Sequence, residues 1–235
     1  MFTREDFKKA GIQTLKAPKF GNAHVFKIQI DGQAWVVKDF RPCPWLVRAT
    51  YGRMMIRREV SMLRHLADLP GTPDGTFRID GHAFAMRFIE GTTLRDSDRD
   101  MSPAFFELAE ARLKAVHARC VVHLDLRNSR NIMVDKAGAP VLVDFQSGFS
   151  TRWLPRGVRR FLENVDLSGI YKHWASHNPD SMGEKREKHL LKHLARRNYW
   201  PIKGYKIGLH VRKPKHYEQR LIEKRRQREA SESRG

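Results

Sequence analysis

Apolar residues alternate along Val25–Ile30 and again along Ala34–Phe40, and the Asp31-Gly32 pair between them suits a tight hairpin turn. Further on the period changes. Met55, Glu59, Met62, Leu63 and Leu66 fall at three- and four-residue steps, which predicts a helix from Arg53 to Leu66 with one carboxylate on its apolar face. A second turn signal, Asp80-Gly81, precedes a strand over Ala83–Phe88, and Ile89–Leu94 reads as an apolar strand ending in a glycine-containing bend. Together these predict an N-terminal unit of about five antiparallel strands with one helix inserted. Ser102 followed by Pro103 starts a helix whose buried stripe is Phe105, Leu108, Ala109, Arg112, Leu113 and Val116. It leads through His117 and Cys120 into His123-Leu124-Asp125-Leu126-Arg127-Asn128-Ser129-Arg130-Asn131. Two short strands follow, Ile132–Val134 and Val141–Val143, joined by the turn Asp135–Ala139. A helix is predicted around Val158–Asn164, and another after Tyr217 with a frayed end.

The chemistry concentrates in a few positions. A carboxylate on an apolar helix face needs a cation, and Lys38, in Val36-Val37-Lys38, is available to Glu59. The hairpin brings its outer ends together, and with them Asn131 and Asp144; Asp125 lies just upstream. Phosphoryl transfer requires this combination: a carboxylate near the attacking hydroxyl, oxygen ligands for Mg²⁺, and a lysine on the nucleotide phosphates.

These motifs resemble those of the protein-kinase-like superfamily, where H-R-D-x-x-x-x-N precedes D-F-G and a V-A-I-K strand supplies the lysine. In style the chain is closest to the small bacterial members, the RIO kinases and the lipopolysaccharide core kinases that phosphorylate Kdo or heptose. The resemblance covers about residues 15 to 175 and implies a bilobal α+β fold. It divides the chain into an N-lobe (1–90), a C-lobe (91–182) and a basic C-terminal extension (183–235). It also implies ATP and Mg²⁺ as cofactors. Lys38 would position the phosphates, Glu59 would orient Lys38, Asp125 would serve the acceptor hydroxyl, and Asn131 and Asp144 would hold the metal. Gly21 and Asn22 would form an abbreviated phosphate-covering turn, although they equally suit an ordinary hairpin turn. Glu90 and Gly91 fall at the hinge that meets adenine through backbone groups. Asp166 would support the catalytic loop from a helix start at Val165–Tyr171; the alternative is a simple helix N-cap.

Two departures stand out. Asn131 is six residues after Asp125, against five in the kinase pattern, and Arg130 holds the five-residue position. Either the loop carries one extra residue or the second metal ligand is lost; the register of Asn131 with the hairpin and Asp144 favours the insertion. Gln146 replaces the glycine of D-F-G, and no A-P-E follows.

Composition adds a partner. Lys and Arg number 45 against 26 Asp and Glu, a net charge of +19. The excess is greatest from Gly183 onward, where 17 Lys and Arg face 6 Asp and Glu and where Trp200, Tyr205, His210 and Tyr217 interleave the charges. Such a tail suits an anionic surface (nucleic acid, acidic lipid or phosphorylated glycolipid) or is a solvated end. The acceptor read from this is a sugar hydroxyl of an anionic glycolipid such as lipopolysaccharide core. The alternatives are a protein Ser/Thr hydroxyl, as in RIO kinases, a small-molecule hydroxyl, or a pseudokinase whose tail binds RNA or an acidic partner. Cys43 and Cys120 alone make neither a disulfide framework nor a zinc site. With no apolar run of ~20 residues and no secretory start, a cytoplasmic protein is expected, with the inner face of the membrane as a peripheral location.

Overall fold

Alternation along one strand divides the N-terminal sheet between two cores. In the computed structural model, which describes residues 1–16, 22–98, 100–198 and 216–232, a short helix α1 (Arg4–Lys9) precedes strands β1 (Ile12–Lys16), β2 (His24–Ile30) and β3 (Gln33–Asp39). A three-residue helix α2 (Trp45–Val47) runs through a π turn (Arg48–Gly52) into α3 (Arg53–His65), and β4 (Phe77–Arg78) and β5 (Ala83–Arg87) complete an antiparallel sheet of order β1-β2-β3-β5-β4. In β3, Val37 pairs with Ala85 and faces a core of Phe2, Phe7, Ile28 and Phe77 beneath α1. Val36 and Lys38 point the other way, toward the core that contains Phe84, Met86 and the apolar face of α3. Lys38 therefore enters the interior because β3 has a period of two.

The chain continues with β6 (Gly91–Thr93), α4 (Pro103–Ala118), β7 (Val121–Val122), the hairpin β8 (Ile132–Asp135) and β9 (Pro140–Leu142), and β10 (Phe149–Ser150). Three helices end the chain: α5 (Arg156–His177), α6 (Glu184–Asn198) and α7 (His216–Glu232). Ser102 caps α4 as its sequence predicts, accepting from the Phe105 N–H at 3.3 Å. The hairpin also forms as expected, with Ile132 opposite Leu142.

Four expectations are corrected. Leu108 is exposed; Phe106 takes its place in the core and stacks on Trp174 at 5.6 Å. With two adjacent phenylalanines on α4, a 3.6-residue period does not decide which side is inward. Helix α5 begins at Arg156, so Val165–Tyr171 lies inside a continuous helix and Asp166 is not an N-cap. The apolar strand expected over Ile89–Leu94 pairs only at Gly91–Thr93. The extension beyond residue 183 is not a free tail where it is described: Leu190, Tyr217 and Leu221 are buried in the main core. Lys224 and Arg228 of α7 close on the buried Glu187 of α6 at 2.7 and 2.9 Å. Trp200, Tyr205 and His210 lie outside the described residues.

Candidate active site

Lys38 meets the partner its sequence pattern demanded, and a second one besides. Its Nζ donates to Glu59 Oε1 at 2.6 Å and to Asp144 Oδ1 at 2.7 Å, linking β3, α3 and the segment after the hairpin. Burial opposes the ammonium charge, but Asp144 and Glu59 outweigh it and raise the Lys38 pKa above the ordinary lysine value. Burial pushes the Glu59 carboxyl up, whereas the Lys38 charge holds Asp144 below the usual carboxylate range. Two carboxylates thus share one ammonium, leaving negative charge unbalanced in a site where Asp144 is still one-third exposed, at 33 %. A hard divalent cation fits that imbalance and those oxygen donors. Asp144 has φ +65° and ψ +63°, a left-handed backbone that costs a non-glycine residue on the order of 1–3 kcal/mol and that turns the chain into Phe145.

The segment His123–Asn131 ends in a 3₁₀ turn at Ser129–Asn131, where Asn128 accepts from the Arg130 N–H. Arg130 is left exposed and Asn131 buried. The Asn131 amide donates to Asp125 Oδ2 at 2.8 Å and to the Asp125 carbonyl at 3.1 Å. Asn131, not Arg130, thus lies against Asp125. The Asn131 carbonyl in turn accepts from the Val143 N–H at 2.9 Å, which ties the loop to the residue before Asp144.

The loop hangs from α5. Asp166, fully buried, accepts from the His123 N–H at 2.7 Å, the Leu124 N–H at 2.6 Å and the His117 ring at 3.1 Å. Leu124 has φ +61°, a strained backbone held by that carboxylate. His123 donates to the Val143 carbonyl at 2.9 Å, and its ring lies 4.5 Å from that of Phe145. One to two turns along α5, Lys172 donates to the Arg127 carbonyl and His173 to the Leu126 carbonyl, at 2.6 and 2.9 Å. Gly169 is required between them, since a Cβ there would lie 2.8 Å from the Leu126 carbonyl carbon.

These loop supports, other than Asp166, were missed in the sequence, as was Arg58. From α3, the Arg58 guanidinium donates to the carbonyls of Gly148 and Gln146 at 2.8 and 3.4 Å. Asp166, Gly169 and His173 do recur at helical steps, the one signal that could have found the α5 face. Gly91, at the start of β6, has φ +155°, and a Cβ would meet the Val134 carbonyl oxygen at 2.1 Å. The Glu90 carbonyl is engaged by the Lys136 N–H at 3.1 Å. Asn22 accepts from the Cys43 thiol through its carbonyl at 3.3 Å; Gly21 lies outside the described residues. Among the described residues no group of three or more His, Cys, Asp or Glu could hold a metal ion. No described helix is long and apolar enough to cross a membrane.

No protein-family model matches the chain, and no curated protein does. Solved structures do. The chain is similar to the Rio2 kinase from Chaetomium thermophilum, with a TM-score of 0.56 at 11 % identity over 83 % of this chain and 76 % of that one. It is also similar to the ADP/Mg²⁺-phosphoaspartate complex of that kinase, with a TM-score of 0.52 at 15 % identity over 81 % and 71 %. With its five-stranded lobe and helical remainder, the chain has the protein-kinase-like fold.

Proposed function

We propose that this protein is an ATP- and Mg²⁺-dependent phosphotransferase acting on a hydroxyl of an anionic acceptor. The observation that carries the reading is the Lys38 ammonium held between Glu59 and Asp144 at 2.6 and 2.7 Å. Mg²⁺ with ATP would supply the transferable phosphoryl group and neutralise its charge. Asp144 and Asn131 would hold the metal, a role consistent with their oxygen donors and with the surplus negative charge. Lys38 would turn from Asp144 to the nucleotide phosphates while Glu59 keeps it in place. Asp125, its carboxylate fixed by the Asn131 amide, would orient the acceptor hydroxyl and take its proton.

The first acceptor is a sugar hydroxyl of an anionic glycolipid such as lipopolysaccharide core. It is supported by the net charge of +19 and by the resemblance of the sequence motifs to those of core kinases. A protein Ser/Thr hydroxyl is the second reading, favoured by the fold's likeness to the Rio2 kinase. Incubation with γ-labelled ATP and a cell-envelope extract tests both, with Asp125→Asn as control. Asp125-dependent label in glycolipid supports the first acceptor and label in protein the second; no Asp125-dependent label in either overturns both acceptors.

A further inference from the structure

Between Asp39 and Glu59 the chain contains no acidic residue, yet it carries Arg41, Arg48, Arg53, Arg57 and Arg58. Arg58 is committed to the carbonyls of Gly148 and Gln146. The other four are exposed, and among the described residues no ion pair joins them to a carboxylate. They line two adjoining hollows on the outer side of α2 and α3, of about 410 and 570 Å³, which share Ala49 and Arg53. The same surface exposes three large apolar side chains: Trp45 is 70 % exposed, Leu46 58 % and Met54 53 %.

This exposure is built in. Pro42 and Pro44 stiffen the approach to α2, and Cys43 between them is buried. Gly52 seats the π turn on Phe40, where a Cβ would lie 2.9 Å from the ring. The backbone is thus fixed from below while its apolar side chains point outward. More than half of each of Trp45, Leu46 and Met54 stays uncovered by the fold, and an apolar cluster rimmed by arginines marks a surface that meets a partner.

We propose that the α2–α3 surface docks this protein on an anionic lipid bilayer. Trp45, Leu46 and Met54 enter the interfacial region, and Arg41, Arg48, Arg53 and Arg57 pair with headgroup phosphates. Tryptophan between arginines suits the headgroup level, where an amphipathic ring and long cationic stems both find their solvent. RNA would match the arginines and could stack on Trp45, but it offers nothing to Leu46 and Met54, which have no ring to stack on a base. The α7 charges are the weaker candidates, because Lys224 and Arg228 already face Glu187. This docking stands apart from the catalytic reading, and its test involves no turnover.

The test is cosedimentation of the full chain with vesicles of phosphatidylglycerol and phosphatidylcholine, and with vesicles of phosphatidylcholine alone. Arg48→Gln/Arg53→Gln should lower partition onto the anionic vesicles roughly tenfold or more, since each cation near such a surface contributes about 1 kcal/mol. Trp45→Ser/Leu46→Ser should lower it by a similar factor. Arg225→Gln/Arg226→Gln on α7 should leave it within about twofold of the wild type, and all three variants should melt as the wild type does. Equal partition onto both vesicle types, or wild-type partition by the α2–α3 variants, overturns the proposal. So does binding to a polyuridine probe that the arginine pair controls while the Trp45/Leu46 pair changes nothing on vesicles.

Discussion

Asp144 and Asp166 are both carboxylates beside the His123–Asn131 loop, and they are placed for opposite tasks. Asp166 is sealed under α5 and spends its oxygens on two backbone N–H groups and the His117 ring. Nothing is left for a ligand. Asp144 is one-third exposed, sits on a left-handed backbone, and shares the single Lys38 ammonium with Glu59. A saturated carboxylate is a strut, whereas a carboxylate with spare charge on a strained turn is available for chemistry. The contrast separates the part of the loop that holds shape from the part that would act.

The largest break in that contrast should come from Asp166→Ala. It strands two buried N–H donors and costs roughly 3 kcal/mol or more, a large share of an ordinary domain's stability. Urea denaturation measures it. A loss under about 1 kcal/mol would mean that the loop is held elsewhere.

The α5 side should also respond to mild acid. Burial, aided by the Lys172 charge, lowers the His173 pKa to about 3. The unfolded histidine titrates near 6.5, so its share of stability is complete above that pH and lost as pH falls toward 3. At pH 4.5 the deficit from this residue is about 2–3 kcal/mol. His173→Gln can still donate to the Leu126 carbonyl and should flatten that part of the slope between pH 7 and 4.5.

On the active side, Lys38 and Glu59 should behave as one unit. Lys38→Ala should lower phosphoryl transfer on the order of a hundredfold. Adding Glu59→Ala should cost little more, because the residue it orients is gone. Fully multiplicative losses in the double variant would show that the pair does not function together.

The regular elements were legible because burial writes a period: β3 alternates, α3 repeats at three and four, and Glu59 betrays its need for Lys38 by sitting among methionines and leucines. Asp125, Asn131 and Asp144 could be proposed from the sequence because phosphate chemistry calls for those side chains at nearly that spacing. Other features depend on what the backbone meets. The 3₁₀ turn at Ser129–Asn131, the positive φ of Asp144 and the reach of Arg58 to Gly148 leave no trace in residue type. Helix α1 has only six residues, too few for a period, although the Thr3–Asp6 capping box that starts it could have been read. Charge counting also misplaced the basic extension, since a net sum does not reveal that Glu187 is buried where Lys224 and Arg228 reach it.

The central claim is that the free capacity of Asp144 is catalytic, and Asp144→Asn tests it most directly. An amide oxygen at this position can still accept from Lys38, so the variant should melt within a few degrees of the wild type, while the lost negative charge weakens Mg²⁺ binding. The measurement is transfer of γ-labelled phosphate at millimolar Mg²⁺, beside a melting curve of the same sample. A wild-type melt with phosphoryl transfer abolished is the predicted result. Wild-type transfer by this variant would contradict the mechanism.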